Sequence, residues 1–285
     1  MPADRAADAR LHPDRAGRDR NRRRPERLGR DGPHLCLCLA AQGRQSKTSK
    51  TGKGSAMTRS DTPGFQTGTF QFLKDLSENN TKDWFDAHKA DYQSLVKKPS
   101  DRFRPALADA LGALTGRELK SKQFRINRDL RFSKDKTPYN THIRMAFWPS
   151  GAAFEGKDAQ PPSFFLSIEA GHIRFGTGCM AFSKPGLGAY LKAVETGKGE
   201  EISGLLTDLT GQGFEISEPD LAKPPRGFPK DHAFGDLARH KGLAAWKTLA
   251  DPGFLTGDTA VAGLCEVWEP TLSFWTWLLD LQERA

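Results

Sequence analysis

The spacing of the apolar residues changes near residue 140, and this change constrains the fold more than any other feature of the chain. Between residues 70 and 114 the large apolar side chains recur at helical spacing and predict three helices. Beyond the change, Ile143, Met145 and Phe147 alternate with polar or small residues, as in a strand with one buried face. A chain that passes from helices to strands is typical of an α+β domain.

Several helices carry sequence signals at their ends. Asn80 is predicted to cap the second helix, with Asp83 three residues later, and Gly116 is predicted to end the third. Further helices are predicted after Ser183, up to Gly211, from Asp231-His232 to about Lys241, and over residues 261–281 with a break at Pro270.

The clearest β signal is a hairpin in which residues 164–169 and 172–176 are joined at Ala170-Gly171. Short strands joined by tight turns favour antiparallel pairing, and residues 214–217 are predicted to return to the sheet. We therefore predict a single α+β domain over residues 65–285, with helices packed on one face of a mostly antiparallel sheet.

Residues 1–64 are predicted to form a disordered basic extension. Residues 1–56 hold 14 Lys and Arg against 6 Asp and Glu, whereas residues 57–285 hold 29 of each, so the net charge of +8 lies entirely in the extension. Its composition offers too little apolar surface to offset the entropy of ordering. Two interpretations remain open: an arm that binds nucleic acid, or an extension upstream of a true start at Met57.

The strongest chemical signal is a basic segment over residues 117–144, where nine Lys and Arg stand against three acids. The apolar residues Ile126, Leu130 and Phe132 lie between the charged ones, so the segment does not read as an unstructured basic tail. Read with a period of two, the segment predicts a strand in which Arg128 shares a face with these apolar residues. A guanidinium in such surroundings must be paired, and we expect Asp129 or Asp135 to pair with it.

The basic segment also carries a resemblance to a known family. Arg125, Arg128-Asp129, Arg131-Phe132 and the run from Ser133 to Tyr139 resemble the signature of domain-of-unknown-function family 2461, which consists of bacterial conserved hypothetical proteins. The resemblance extends from about Phe70 to near the C-terminus and includes Asn79-Asn80, Trp84-Phe85, Gly227-Phe228 and Asp231-His232. The family has no established activity, so the resemblance implies a bacterial protein but no catalytic role.

We expect the basic segment to bind a small anionic ligand. Guanidinium groups donate paired hydrogen bonds to phosphate or carboxylate, and each charge-assisted bond contributes about 1.5–3 kcal/mol. The predicted ligand-binding residues are Arg125, Arg128, Arg131, Lys134, Lys136 and Tyr139, and the candidate catalytic residues are Tyr139, Asp129 and His232. If their two strands are neighbours, Arg144 and Arg174, with His142 and His172 beside them, would extend the cationic surface that begins at Arg125 and Arg131.

Each of the expected roles follows from side-chain chemistry. Tyr139 would donate to the ligand, or act as an acid if nearby lysines lowered its pKa. Asp129 would orient the arginines. The loop over residues 226–232 would close a pocket in which Arg125, Arg131, Lys136 and Tyr139 converge.

Three functions and one structural alternative remain open at this point. The chain is predicted to hold a small-molecule site, with or without turnover, or to be a nucleic-acid-binding module, or to meet an acidic protein partner. In the structural alternative, the Arg and Asp side chains form an ion-pair network that stabilises the fold. The neutral charge of residues 57–285 counts against nucleic-acid binding outside the extension.

The sequence contains none of the familiar catalytic or cofactor motifs. It has no P-loop, no GxGxxG after a strand, no HExxH and no GxSxG, so no cofactor and no metal are predicted. Four cysteines with no CxxC pair predict neither a zinc site nor a disulfide framework. No segment is predicted to enter a membrane, and we expect the protein to be cytoplasmic.

Overall fold

Six strands form one sheet in which every pair of neighbours is antiparallel. The strands are β1 (Leu119–Gln123), β2 (Ile143–Pro149), β3 (Ser163–Ile168), β4 (Ile173–Cys179), β5 (Glu215–Ile216) and β6 (Leu243–Leu249), and their order in the sheet is β1-β2-β3-β4-β6-β5. The computed structural model describes residues 64–154 and 159–283. The predicted extension over residues 1–64 therefore lies outside the described residues except for its last position.

Eight α-helices occur among the described residues. They are α1 (Thr67–Glu78), α2 (Lys82–Ala87), α3 (Lys89–Asp91), α4 (Lys98–Thr115), α5 (Lys184–Ala193), α6 (Gly199–Gly211), α7 (Ala260–Trp268) and α8 (Leu272–Glu283). Two π-helical segments, Tyr92–Lys97 and Val194–Lys198, join α3 to α4 and α5 to α6, and 3-10 turns cover Leu237–Arg239, Pro252–Leu255 and Glu269–Thr271. None of these helices is long and apolar enough to cross a membrane.

The main hydrophobic core lies between the helices and one face of the sheet. The alternation in β2 places Ile143, Met145 and Phe147 in this core, as the sequence predicted. Full burial of such side chains stabilises the fold by about 1.5–3 kcal/mol each. Two indoles also anchor helices to strands, since Trp268 Nε1 donates to the Gly176 carbonyl at 3.2 Å and Trp275 Nε1 donates to the Pro162 carbonyl at 3.1 Å.

Several sequence predictions are confirmed by these elements. The hairpin of β3 and β4 turns at residues 169–172, where the Glu169 N–H donates to the His172 carbonyl at 3.0 Å. Ser183 caps α5 by accepting a hydrogen bond from the Gly186 N–H at 3.1 Å. Gly116 ends α4 with a φ of 66°, a left-handed conformation that glycine adopts without strain. The C-terminal helix is interrupted at Pro270, and the α+β architecture with helices on one face is as predicted.

Two predicted helix starts are wrong. Thr81, not Asn80, caps α2, because its hydroxyl accepts from the Trp84 N–H at 3.3 Å while the Asn80 side chain bonds elsewhere. The helix predicted from Asp231-His232 does not form, and only the 3-10 turn Leu237–Arg239 is helical in this region. The His232 side chain accepts a hydrogen bond from the Phe234 N–H at 3.2 Å, which satisfies that donor outside a helix.

Candidate functional site

Residues 124–142 form an irregular loop between β1 and β2, which we call the basic loop, so the strand predicted for its first half is wrong. Two backbone hydrogen bonds join the first half of the loop to the second half. The Arg128 N–H donates to the Pro138 carbonyl at 2.9 Å, and the Asn140 N–H donates to the Ile126 carbonyl at 2.7 Å. Beyond these contacts, polar side chains bond the backbone, which competes with a strand ladder.

Arg128 is the centre of the basic loop, and both terminal nitrogens of its guanidinium are hydrogen-bonded within the loop. Nη1 lies 2.5 Å from Asp135 Oδ2 and also donates to the carbonyl and hydroxyl of Thr137, while Nη2 donates to the Ser133 hydroxyl at 3.4 Å. The Thr137 N–H donates to Asp135 at 2.9 Å. This backbone bond, followed by the Arg128 bond, lowers the pKa of Asp135 to about 2. The expected pairing of Arg128 is therefore observed, with Asp135 as its partner.

The outer part of the basic loop points its charges to solvent. Arg131 pairs with Asp129 through two bonds, Nε to Oδ1 at 2.9 Å and Nη2 to Oδ2 at 2.6 Å, and its side chain is 76% exposed. The bonds from Arg131 hold the pKa of Asp129 well below its usual range. Lys136 donates to the Leu130 carbonyl at 3.1 Å, and Lys134 is exposed. Arg131 and Lys136 are therefore bonded within the loop itself.

Tyr139 points inward and clamps the basic loop to the helices. Its ring stacks on Phe85 with centroids 4.0 Å apart. The Asn80 side chain donates to the Tyr139 carbonyl at 2.9 Å and accepts from its N–H at 3.1 Å, as a neighbouring strand would. Burial, with a further contribution from Asp86, raises the pKa of Tyr139, opposite to the effect expected from nearby lysines. Its hydroxyl therefore remains protonated at neutral pH.

His232 lies apart from the other candidate catalytic residues. Its Nε2 is 3.3 Å from the Glu195 carbonyl, and its ring packs against Phe228 and Phe234. The loop over residues 226–232 borders neither of the two cavities described below. Arg125, Arg131, Lys136 and Tyr139 consequently do not converge on one pocket closed by this loop.

The sheet face opposite the main core brings sequence-distant arginines together. Ser167 on β3 is the register partner of Arg144 on β2 and of Arg174 on β4, so the three side chains form a row across the sheet. We call this face the cavity face. Strands β2 and β4 are not neighbours, because β3 lies between them. Neither guanidinium of the row is bonded to a carboxylate among the described residues.

The row borders a cavity of about 850 Å³. Five basic side chains contribute to its wall: Lys122, Arg125, Arg128, Arg144 and Arg174. Two acids, Asp129 and Glu169, also border it. Asp129 is already paired with Arg131, and Glu169 lies 3.5 Å from His172 Nε2. The cavity therefore concentrates unpaired positive charge on a domain whose Lys and Arg balance its Asp and Glu in number.

His142 reports the positive field of the cavity. It lies in the cavity wall, and its pKa is lowered to about 4, first by burial and then by Arg144, with a smaller contribution from Arg128. Glu169 acts in the opposite direction but does not outweigh them. At neutral pH the imidazole is uncharged and offers one donor and one acceptor to a ligand.

Two aromatic side chains, which we call the aromatic floor, lie on the same face of the sheet, two residues along the strands from the row of arginines. Phe165 pairs with Gly176, which pairs with Trp246, and the rings of Phe165 and Trp246 have centroids 5.6 Å apart. A Cβ at position 176 would lie 2.5 Å from Cε3 of Trp246, so glycine is required there for the indole to cross the strand. The Arg174 guanidinium lies 4.9 Å from the Trp246 ring centre, which holds it by a cation–π contact.

A second cavity of about 640 Å³ lies on the other side of the segment that follows β1. Tyr139 and Phe85 border this cavity together with Lys89 and Arg104. The Arg104 guanidinium is fixed by a bond to the Ser121 hydroxyl at 2.8 Å. Residues 122–125 and Asn127 border both cavities, and the Gln123 Oε1 atom between them is buried without a hydrogen-bond partner in the described part of the chain.

The predicted site residues thus divide into three groups. Arg125 and Arg128 border the larger cavity together with Asp129, whereas Arg125 and Tyr139 border the smaller one. Arg131, Lys134 and Lys136 border neither. Among residues 64–154 and 159–283, no three His, Cys, Asp or Glu side chains are close enough to hold a metal ion.

Sequence reasoning missed Ser167, Phe165 and Trp246. The hairpin offered a signal for the first, because a turn in which Glu169 faces His172 also sets Ser167 opposite Arg174. No comparable signal existed for Trp246, whose strand joins β4 after an excursion of more than 60 residues.

The chain matches the family model described as Conserved hypothetical protein (DUF2461) over residues 68–277. This match covers the whole sheet and all the described helices except the ends of the first and last. No curated protein matches the chain.

Proposed function

The chain belongs to the family of conserved hypothetical proteins DUF2461, and from the geometry of the cavity face we propose that it binds a small anionic ligand bearing a phosphate or a carboxylate. One observation carries the proposal. Arg144 and Arg174 flank Ser167 in a single row at the wall of a cavity, and neither arginine has a carboxylate partner among the described residues. Two guanidinium groups in one row match the acceptor oxygens of an anion, and the Ser167 hydroxyl between them, which donates to Glu169 at 3.4 Å, would turn to the ligand.

The surroundings of the row support the same ligand class. Arg125 and Lys122 add positive charge. Of the two bordering acids, Asp129 is paired with Arg131, and Glu169 accepts from the Ser167 hydroxyl and lies 3.5 Å from His172 Nε2. The cation–π contact with Trp246 limits the freedom of Arg174, so less conformational entropy is lost when it binds. Burial is the main cause of the low pKa of His142, and the positive charges of Arg144 and Arg128 lower it further.

The shape of the site favours a small ligand over a macromolecular partner. The cavity of about 850 Å³ falls in the range of small-molecule sites, roughly 300–1,000 Å³. The hydrogen bonds of the basic loop favour the structural interpretation for Arg128 and Arg131, since both already meet carboxylates. The principal anion-binding residues therefore belong to the strands and not, as the sequence predicted, to the basic loop.

Anion binding to single-arginine variants of the full chain tests the proposal. We expect inorganic phosphate, or a small di- or tricarboxylate, to raise the melting temperature of the wild type. Arg144→Ala and Arg174→Ala should each weaken binding by roughly 10- to 100-fold in an isothermal titration, because each removes a charge-assisted bond. Arg226→Ala is the matched control, since this exposed arginine borders neither cavity.

The same titration separates the sheet from the loop. Lys136→Ala should bind the anion like the wild type, and Arg131→Ala should weaken binding less than either strand variant, because it only leaves Asp129 unpaired at the cavity wall. If these two variants lose binding while Arg144→Ala and Arg174→Ala keep it, the ligand occupies the basic loop and the proposal for the cavity face is wrong.

A further inference from the structure

Charged and aromatic side chains are separated along the strands of the cavity face. Arg144 and Arg174 lie in one row, and Phe165 and Trp246 lie in the next row, two residues further along the strands. Antiparallel strands rise about 3.4 Å per residue, so the two rows are about 7 Å apart. A ligand that fills both rows must carry its charge at one end and an apolar group at the other.

The apolar character continues at the rim of the same cavity. Three large hydrophobic side chains are exposed in the described part of the chain, namely Phe124, Phe132 and Met180. Phe124 and Met180, which are 37% and 46% exposed, both border the larger cavity, whereas Phe132 lies in the basic loop and borders neither cavity. Exposed apolar side chains around an aromatic floor favour burial of an apolar ligand body.

Arg174 connects the charged and aromatic rows. Its backbone belongs to the charged row, but its guanidinium lies 4.9 Å from the Trp246 ring centre. The indole in turn lies across Gly176, where no side chain can be accommodated. An anion held by Arg174 is therefore positioned at the edge of a fixed aromatic surface.

From this geometry we infer that the ligand is a nucleotide-like anion, with its phosphate at Arg144 and Arg174 and a planar aromatic ring against Trp246 and Met180. The inference rests on the proposed function and adds the second half of the ligand. Because the Arg174 guanidinium lies 4.9 Å from the Trp246 ring centre, a short spacer such as a pentose would join a phosphate at Arg174 to a ring beside the indole. Ring contacts of this kind contribute about 0.5–1.5 kcal/mol beyond the area that they bury.

A series of three related ligands, titrated into the full chain, tests the inference. Inorganic phosphate, ribose 5-phosphate and a nucleoside 5′-monophosphate share the anion and differ in the spacer and the ring. In isothermal titrations we expect the nucleotide to bind about threefold to tenfold more tightly than ribose 5-phosphate. Trp246→Leu should remove this advantage, whereas the loss of its contact with Arg174 should weaken all three ligands by a similar factor.

Two further variants complete the test. Met180→Ser changes an exposed side chain, so it tests the ring contact even if Trp246→Leu does not fold, and it should reduce the advantage of the nucleotide without changing phosphate binding. Trp84→Leu removes an indole that borders neither cavity and should leave all three affinities unchanged.

The outcomes distinguish this inference from the proposed function. If phosphate and ribose 5-phosphate bind but the nucleotide binds no more tightly, the aromatic half of the ligand is wrong and the anion site stands. If the advantage of the nucleotide survives in both Trp246→Leu and Met180→Ser, the ring lies elsewhere and the inference is overturned. If no phosphate ligand and no small carboxylate binds the folded wild type, the proposed function itself is wrong.

Discussion

The basic loop and the cavity face both present arginines, but only the loop neutralises them. Arg128 and Arg131 meet Asp135 and Asp129, which lie seven and two residues away in the chain. Arg144 and Arg174 are brought together across β3, where the register partner of each is Ser167 and not an acid. Acids close in sequence can pair with a guanidinium whatever the fold becomes, whereas strand register decides which side chains surround a strand arginine. A dense basic segment can therefore be structural, while arginines scattered along the sequence line the proposed site.

The largest expected effect concerns the backbone on which the cavity face is built. Gly176→Ala should reduce the free energy of unfolding by about 2–3 kcal/mol, because the new Cβ would lie 2.6 Å from the Ala245 carbonyl oxygen and 2.5 Å from the Trp246 ring. Urea unfolding measures the difference. Gly151→Ala is the control, since nothing lies within 4 Å of its Cβ position. If the two variants are equally stable, the cavity face tolerates displacement of the Trp246 indole.

The next effect is a pH dependence that arises on the cavity face. The folded pKa of His142 is about 4, below the ordinary value of 6.5. Between these values the unfolded chain binds a proton that the folded chain does not, so stability is lost as the pH falls. With about 1.4 kcal/mol per pKa unit and part of the shift screened by solvent, we expect a loss of about 2 kcal/mol between pH 6.5 and 4.

A variant isolates the contribution of His142 from that of other groups, including His240, whose pKa burial also lowers. His142→Asn should show a flatter dependence of unfolding free energy on pH over this window. An anion near Arg144 would oppose the depression of the His142 pKa, so ligand binding should take up protons, as titrations in two buffers of different ionisation enthalpy measure. An unchanged slope in His142→Asn contradicts this assignment.

A smaller effect is expected in the basic loop. Arg128→Ala should reduce stability by about 1–2 kcal/mol, because it leaves Asp135 without its cation and removes the bonds to Thr137 and Ser133. Arg131→Ala should have no measurable effect, since its pair with Asp129 is solvated. Thermal and urea unfolding of both variants measure the difference. If Arg131→Ala is the more damaging variant, the loop is not organised around Arg128.

The smallest effect on stability should accompany the loss of binding on the cavity face. Arg144→Ala should change the free energy of unfolding by no more than about 0.5 kcal/mol, because its exposed side chain has no carboxylate partner among the described residues. Urea unfolding without ligand provides the measurement. A substantial loss of stability in this variant would mean that Arg144 is structural, which would remove the contrast between the two regions.

The parts of the fold that follow from local rules were predictable from the sequence. The two-residue turn fixed the hairpin, Ser183 fixed the start of α5, and Pro270 broke the last helix. The strand predicted through Arg128 failed because side chains of Asp135, Ser133 and Thr137 bond within the loop.

The candidate site was only partly predictable for a related reason. Arg125 and Arg128 were identified from their segment, and Arg174 was identified from strand alternation. The contact of Arg174 with Trp246 depends on β6 pairing with β4, a choice between distant strands that no local pattern specifies. The role of Asn80 was missed similarly, because its partner Tyr139 lies 59 residues away.

The segment that divides the two cavities places them in competition. Arg125 borders both, and it has a single guanidinium. A ligand that binds Arg125 from one cavity prevents a ligand in the other cavity from binding it. Each ligand therefore weakens the binding of the other by the same free energy, whichever binds first. If both cavities bind anions, a titration to saturation would show two unequal affinities with negative cooperativity. In Arg125→Ala, binding to one cavity would no longer affect binding to the other.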